Sequence, residues 1–142
     1  MKTSVKIALF AVVFFAIAAI LFVLTEYFKK HVDLAKAKPD YVITATALQK
    51  EFEDNEKDAS SKYITKIIEV SGEIASITPH DSSTFSLSLK TGSDISSVNC
   101  TFSPGINPSQ FKTGEGITLR GECSGYLMDV LLNNCAPIVK RK

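Results

Sequence analysis

Three cysteines and two histidines are the side chains in this 142-residue chain best suited to chemistry. Cys100, Cys123 and Cys135 offer thiolates for a soft metal, a nucleophile, or the halves of a disulfide. His31 and His80 offer general bases. Their spacing argues against most of these uses. The cysteines are separated by 22 and 11 intervening residues, unlike the close ligand pairs of a zinc knuckle. Neither histidine has a Ser or Cys partner at motif spacing, and a lone histidine in a turn usually faces solvent. No HExxH, CxxC or glycine-rich phosphate loop is present. We therefore expect no catalytic residue, no metal and no cofactor, and a chain that is not an enzyme. For the cysteines this leaves one disulfide and one buried free thiol, a reasonable arrangement in an oxidising compartment. Cys100–Cys135 and Cys123–Cys135 are both feasible pairings, and the sequence does not choose between them.

The elements that hold these residues begin with an anchor. Ile7 to Leu24 is a run of 18 residues without a charge. As a helix it would rise roughly 27 Å at about 1.5 Å per residue, close to the hydrocarbon thickness of a bilayer. Val5 and a snorkelling Lys6 extend it, so residues 5–24 are the expected membrane contact. Tyr27 and Phe28, then Lys29 and Lys30, stand where an interfacial belt is expected. The segment is apolar all round, which argues against a core helix with one polar face. A cleaved signal peptide is the competing reading, but the Ala16-Ile17-Ala18 triplet lies inside the apolar run. No cysteine lies near it for lipid attachment. Residues 1–28 are thus expected to be an uncleaved, single-pass signal-anchor in a bacterial cytoplasmic membrane. Counting Lys and Arg does not settle its orientation. The short N-terminus and the cysteines favour an extracytoplasmic C-terminal domain.

Residues 29–39 read as a linker, with Pro39 as punctuation, and residues 40–142 as one soluble domain. A helix over about 44–60 comes first. Thr44 or Thr46 offers its N-cap, and Thr46-Ala47-Leu48-Gln49 fits a capping box. Leu48, Phe52, Asn55, Ala59 and Tyr63 share one helical face, and the acids between them read as its solvated side. From Lys66 the period becomes two. Ile68, Val70, Gly72 and Ile74 alternate with polar residues, as do Phe85-Leu87-Leu89, Val98-Cys100-Phe102 and Ile117-Leu119-Gly121-Cys123. A last strand runs from Val130 to Cys135. Ser76 to Ser83 reads as a turn region. Five strands, with the longest connection between the third and fourth, are the pattern of a small Greek-key barrel of the OB type. Gly72 and Gly121 fall mid-strand on the inward face, where barrels bend sharply. The expected fold is mainly β with an N-terminal helix: a five-stranded OB-fold-like barrel behind a single transmembrane helix.

An OB barrel takes its ligand on the outer face of its second and third strands. Here that face is expected to carry Thr84, Ser86, Ser88, Lys90, Asn99 and Thr101, which hydrogen-bond but do not stack on bases. Phe85 and Phe102 point inward. The domain holds 10 basic against 13 acidic side chains, net −3, and Lys140-Arg141-Lys142 supplies three of the basic ones. Nucleic acid is therefore disfavoured as a partner.

The residues resemble a family. Tyr41-Val42-Ile43-Thr44-Ala45 leading to Leu48 and Phe52, Asn55-Glu56, Tyr63 and Val70-Ser71-Gly72 carry the likeness. It continues through Val98-Asn99-Cys100-Thr101-Phe102, Gly121-Glu122-Cys123-Ser124-Gly125 and Asp129-Val130-Leu131-Leu132-Asn133-Asn134-Cys135. In order and spacing these are similar to the tRNA-anticodon-binding-like OB group of bacterial exported proteins. The resemblance implies an OB fold preceded by a helix on an exported or membrane-anchored chain, and it does not imply RNA binding. The expected function is a membrane-anchored, non-enzymatic binding or scaffolding module for a protein or small polar ligand. The alternative is a nucleic-acid-binding OB domain tethered to the membrane.

Overall fold

The structure is a computed structural model that describes residues 2–29 and 33–138. It divides into two compact units, residues 1–32 and 33–142. The first holds one helix, α1 (Lys2–Lys29). Thr3–Tyr27 is long and apolar enough to cross a membrane by length and composition, and none of it is buried against protein. With no polar stripe to turn toward water and no partner face to bury, its side chains match hydrocarbon on every side. Lys30, His31 and the Lys140-Arg141-Lys142 tail lie outside the described residues.

The second unit contains β1 (Tyr41–Thr44), α2 (Ala45–Asp54), α3 (Glu56–Tyr63), β2 (Ile67–Pro79), β3 (Phe85–Lys90) and β4 (Ser97–Phe102). A 3-10 turn (Pro108–Gln110), β5 (Gly116–Leu127) and β6 (Asp129–Pro137) complete it. The strands β2-β3-β4-β6-β5 form a closed barrel, sealed by the pairing of β2 with β5. β2 serves both ends of that ring. Its residues Ile67–Glu73 pair antiparallel with β5, and Ile74–Pro79 pair with β3 across a register shift between Ile74 and Ser76. A bulge of this kind bends a strand so that it can leave one neighbour and join another.

Both inward glycines stand at points of close approach. A Cβ on Gly121 would lie 2.6 Å from Cys135 Sγ and 3.0 Å from Leu132 Cβ. One on Gly72 would lie 3.0 Å from Ala45 Cβ and 3.4 Å from Leu89 Cβ. The alternation of β4 gives buried Val98, Cys100 and Phe102 with Ser97, Asn99 and Thr101 between them. Phe85 and Phe102 stack inside the barrel with centroids 4.7 Å apart, and Phe111 packs on both from the long β4–β5 connection. Leu48 and Phe52 of α2 are fully buried, and Phe52 lies 5.2 Å from the Tyr126 ring.

Four expectations are corrected. The single helix over 44–60 is two helices, because Asn55 leaves helical geometry (φ −156°) and its side chain accepts from the Asp58 amide. Asn competes in this way for backbone donors, which favours caps over helix interiors. The N-cap is Thr44, whose Oγ1 accepts from Ala47 N. The Thr46–Gln49 box does not form, since Gln49 turns inward and donates to Glu53 and to the Met128 carbonyl. Tyr41–Thr44 is a sixth strand, parallel to Ile68–Ser71 of β2. Finally, Ser76–Pro79 is strand and not turn. Pro79 is tolerated because it is the terminal strand residue, where the missing N–H breaks no interior ladder.

Residues 33–38, expected within a spacer, belong to the barrel unit. Leu34 is buried. Arg120 of β5 donates to the carbonyls of Ala35 (3.1 Å) and Ala37 (2.7 Å) while pairing with Glu69 at 2.8 Å.

Candidate ligand face

The outer sides of β2, β3 and β4 carry a lattice of small polar groups. Register places Thr78, Ser86 and Thr101 in one cross-strand row and Ser76, Ser88 and Asn99 in the next. A third row sets Lys90 beside Ser97. Neighbouring strands lie about 4.8 Å apart, so each row is a track of donors and acceptors at near-constant spacing. The strand sequences produce this locally. In Phe85-Ser86-Leu87-Ser88-Leu89-Lys90 every second residue is apolar and faces the core, which leaves the hydroxyls outside.

The expected face residues are thus brought together, with three qualifications of detail. Thr84 is in the β2–β3 loop, where its amide donates to Asp81 Oδ1. Ser86 is buried at 4% exposure, its Oγ 2.9 Å from His80 Nε2. His80, expected to face solvent from a turn, is exposed in the β2–β3 loop, and through this contact it caps one end of the lattice. Lys90 closes the other end by pairing with Glu73. Ser76 and Thr78 were missed, although they stand two residues apart as strand neighbours do. Reading Pro79 as the sign of a turn hid that signal.

Loops frame the face. Asp81 accepts from the amides of Ser83 (2.7 Å) and Thr84 (2.8 Å), and from Ser83 Oγ. The backbone N–H of Ser83 leads the groups that hold its carboxyl down at about 2. Beside this loop, Asp81, Ser83, Thr84, Phe85, Ile106 and Asn107 help line a cleft of about 390 Å³. At the opposite end Asp129 Oδ1 accepts from both the amide and the hydroxyl of Ser97.

All three cysteines are free, buried thiols, so the expected disulfide is not formed. Cys135 Sγ donates to the Leu132 carbonyl at 3.5 Å. Burial pushes the Cys135 thiol well up, and the adjacent Cys100 thiol adds to the rise. Burial likewise raises Cys123 to about 11. The Cys123 and Cys135 thiols are therefore protonated and inert as nucleophiles at neutral pH. Among the described residues no group of three His, Cys, Asp or Glu side chains is placed to hold a metal.

The fold has solved counterparts. One is a lipoprotein from Klebsiella pneumoniae named as a candidate nucleic acid-binding protein. It superposes with a TM-score of 0.52 at 22% identity, over 68% of this chain and 91% of that one. At that identity the likeness is one of fold alone. No curated protein matches the chain. The model of the tRNA_anti-like family matches residues 1–136. With its closed OB barrel, its leading helices and that match over nearly the whole sequence, the chain belongs to the tRNA_anti-like family.

Proposed function

We propose that the protein is a non-catalytic binding module that presents an OB barrel from a membrane and takes a polar ligand on its β2–β3–β4 outer face. One observation carries this reading: the two cross-strand rows Thr78–Ser86–Thr101 and Ser76–Ser88–Asn99 form a hydrogen-bonding lattice with no aromatic side chain in it. Such a surface suits an extended protein segment or a small polyhydroxylated or amide-rich molecule. It makes directional bonds and supplies no stacking platform. Anchoring by α1 is part of the same proposal. The uncharged apolar run Ile7–Leu24 within the membrane-length helix Thr3–Tyr27 supports it, and an extracytoplasmic barrel suits the export-like start of the chain.

A second reading has its own support. The Klebsiella structure is named for nucleic-acid binding, and OB barrels serve that purpose widely. Single-strand binding needs phosphate neutralisation and stacking, the latter worth roughly 1–3 kcal/mol per base. The domain is net acidic, and Phe85 and Phe102 are spent on the core.

Fluorescence anisotropy with labelled oligonucleotides separates the two, using a chain ending at Val139 so that the basic tail does not contribute. No salt-sensitive binding in the micromolar range is the expected result. Such binding, lost on Thr101→Glu or Ser88→Glu, would establish the second reading. A reporter enzyme fused after Lys142 would report on which side of the membrane the barrel lies.

A further inference from the structure

The end of the barrel where α2 meets the β3–β4 loop and the β5–β6 hairpin holds a polar knot with one acceptor left over. Gln49 is 1% exposed. Its Nε2 donates to the Met128 carbonyl at 2.7 Å and to Glu53 Oε1 at 3.0 Å. Both partners are acceptors, so the amide cannot be turned round without facing oxygen with oxygen. The other half of the amide has nothing: among the described residues, Gln49 Oε1 is the one buried side-chain N or O without a hydrogen-bond partner. An unmatched buried acceptor of this kind keeps its desolvation penalty uncompensated. A cleft of about 240 Å³ opens beside it, lined by Thr46, Gln49, Lys50, Glu53, Thr91 and Ser93 among others.

Charge and surface around the cleft point the same way. Glu53, Asp54, Asp94 and Asp129 lie on the segments that meet here, against one cation, Lys50, which Asp54 already holds at 2.8 Å. Lys90, one residue before Thr91, is paired with Glu73. Glu53 Oε1 also accepts from Ser96 Oγ at 2.9 Å, tying α2 to the β3–β4 loop. The Ser97–Asp129 bonds tie that loop to the β5–β6 tip. On these tied loops sit Ile95, Leu127 and Met128, which are 77%, 78% and 64% exposed. Three exposed apolar side chains thus stand on the loops next to an acidic cleft that lacks one donor.

We propose that this end of the barrel docks a basic, apolar-flanked segment of a partner protein, whose lysine or arginine side chain brings N–H donors to Gln49 Oε1 and Glu53. The flanking apolar side chains rest on Ile95, Leu127 and Met128. The site is separate from the hydroxyl lattice on β2–β3–β4, and its test stands apart from the test of that face.

The experiment uses the full chain in lipid nanodiscs with methyl-labelled Ile, Leu and Met. The probes are acetyl-Leu-Arg-Leu-amide and its counterparts with Glu or Ala in the centre. The Arg peptide is expected to shift the Ile95, Leu127 and Met128 methyls saturably. The Glu peptide should leave them unmoved, and the Ala peptide should bind at least tenfold more weakly. Glu53→Gln should weaken the Arg peptide about five- to tenfold, with the Leu119 methyls in place as a sign that the barrel is intact. Gln49→Leu supplies an independent loss of the acceptor. Equal binding of the Ala and Arg peptides would overturn the proposal, as would an unaltered Glu53→Gln affinity or the absence of any saturable shift. Concentration-dependent shifts of these methyls without peptide would mean that a second copy of the chain covers this end, and would overturn it too.

Discussion

The inner wall of the barrel and its β2–β3–β4 outer face are built from alternate residues of the same strands, yet they respond to change in opposite ways. Inside, Cys100, Cys123, Cys135, Leu119 and Leu132 have no exposed surface, and the gap at Gly121 is too small for a methyl group. Outside, Ser88, Asn99 and Thr101 are half-buried and border on solvent. A close-packed interior transmits any added volume to the backbone, whereas a hydroxyl at the surface trades its bonds with water at little net cost. The wall that holds the barrel closed is therefore intolerant, and the β2–β3–β4 outer face is free to vary in chemistry.

Breaking the inner wall should give the largest effect. Gly121→Val places branched carbon where Cys135 Sγ would lie 2.6 Å from the first atom added. Its neighbour the Asn133 carbonyl is backbone, at 3.4 Å, and gives little. Overpacking of this kind costs about 1–3 kcal/mol or more, and for a domain of this size Tm should fall by about 10 °C in a thermal melt. An unchanged Tm would mean that the wall is looser than the packing requires.

The next effect tests whether the outer surface has its own tight point. Arg120 and Glu69 are 18% and 16% exposed, and the Arg120 guanidinium also holds the Ala35 and Ala37 carbonyls. Arg120→Met should cost about 2 kcal/mol, in the range for hydrogen bonds to charged groups. It should also speed hydrogen exchange and proteolysis at residues 33–38. Loss of stability without release of that segment would place the whole effect in the Glu69 pair.

Titration probes the inner wall without changing its shape. Cys123 is raised to about 11 by burial, from an ordinary value of 9.0. Above pH 9 the unfolded thiol ionises and the folded one does not, so the unfolded state gains and stability falls as pH rises toward 11. The loss from Cys123 should be about 1 kcal/mol at pH 10, measured by urea melts under reductant. Cys135, also raised, adds to it in the same sense. Tyr63 and Tyr126, raised mainly by burial, extend the fall at still higher pH. Cys123→Ala should flatten the slope between pH 9 and 10, and an unchanged slope would assign it elsewhere.

The smallest effect belongs to the outer lattice. Ser88→Ala and Thr101→Ala should each change stability by less than about 0.5 kcal/mol, while the double variant loses ligand affinity if the lattice is the binding face. A large loss of stability in either single variant would erase the contrast between the two walls.

Much of this was decided locally, and so could be read without the structure. The apolar run from Ile7 to Leu24 needs nothing beyond its own composition to be a membrane-length helix. Period-two alternation put Val98, Cys100 and Phe102 on one side of a strand and Asn99 and Thr101 on the other, because successive strand side chains must point oppositely. Gly72 and Gly121 stood out for the same reason. What local pattern did not carry was pairing. Tyr41–Thr44 is too short to announce itself, and it is a strand only because β2 offers it a free edge at Ile68–Ser71. Ser76 and Thr78 join the candidate face because a bulge lets β2 switch from β5 to β3. His80 reaches Ser86 only once that strand is in place. Gln49 fits a capping box on sequence alone, and its amide is drawn inward by the Met128 carbonyl, 79 residues away along the chain. The three thiols share the barrel interior because closure brings β4, β5 and β6 together, a contact between distant segments that no spacing along the chain encodes.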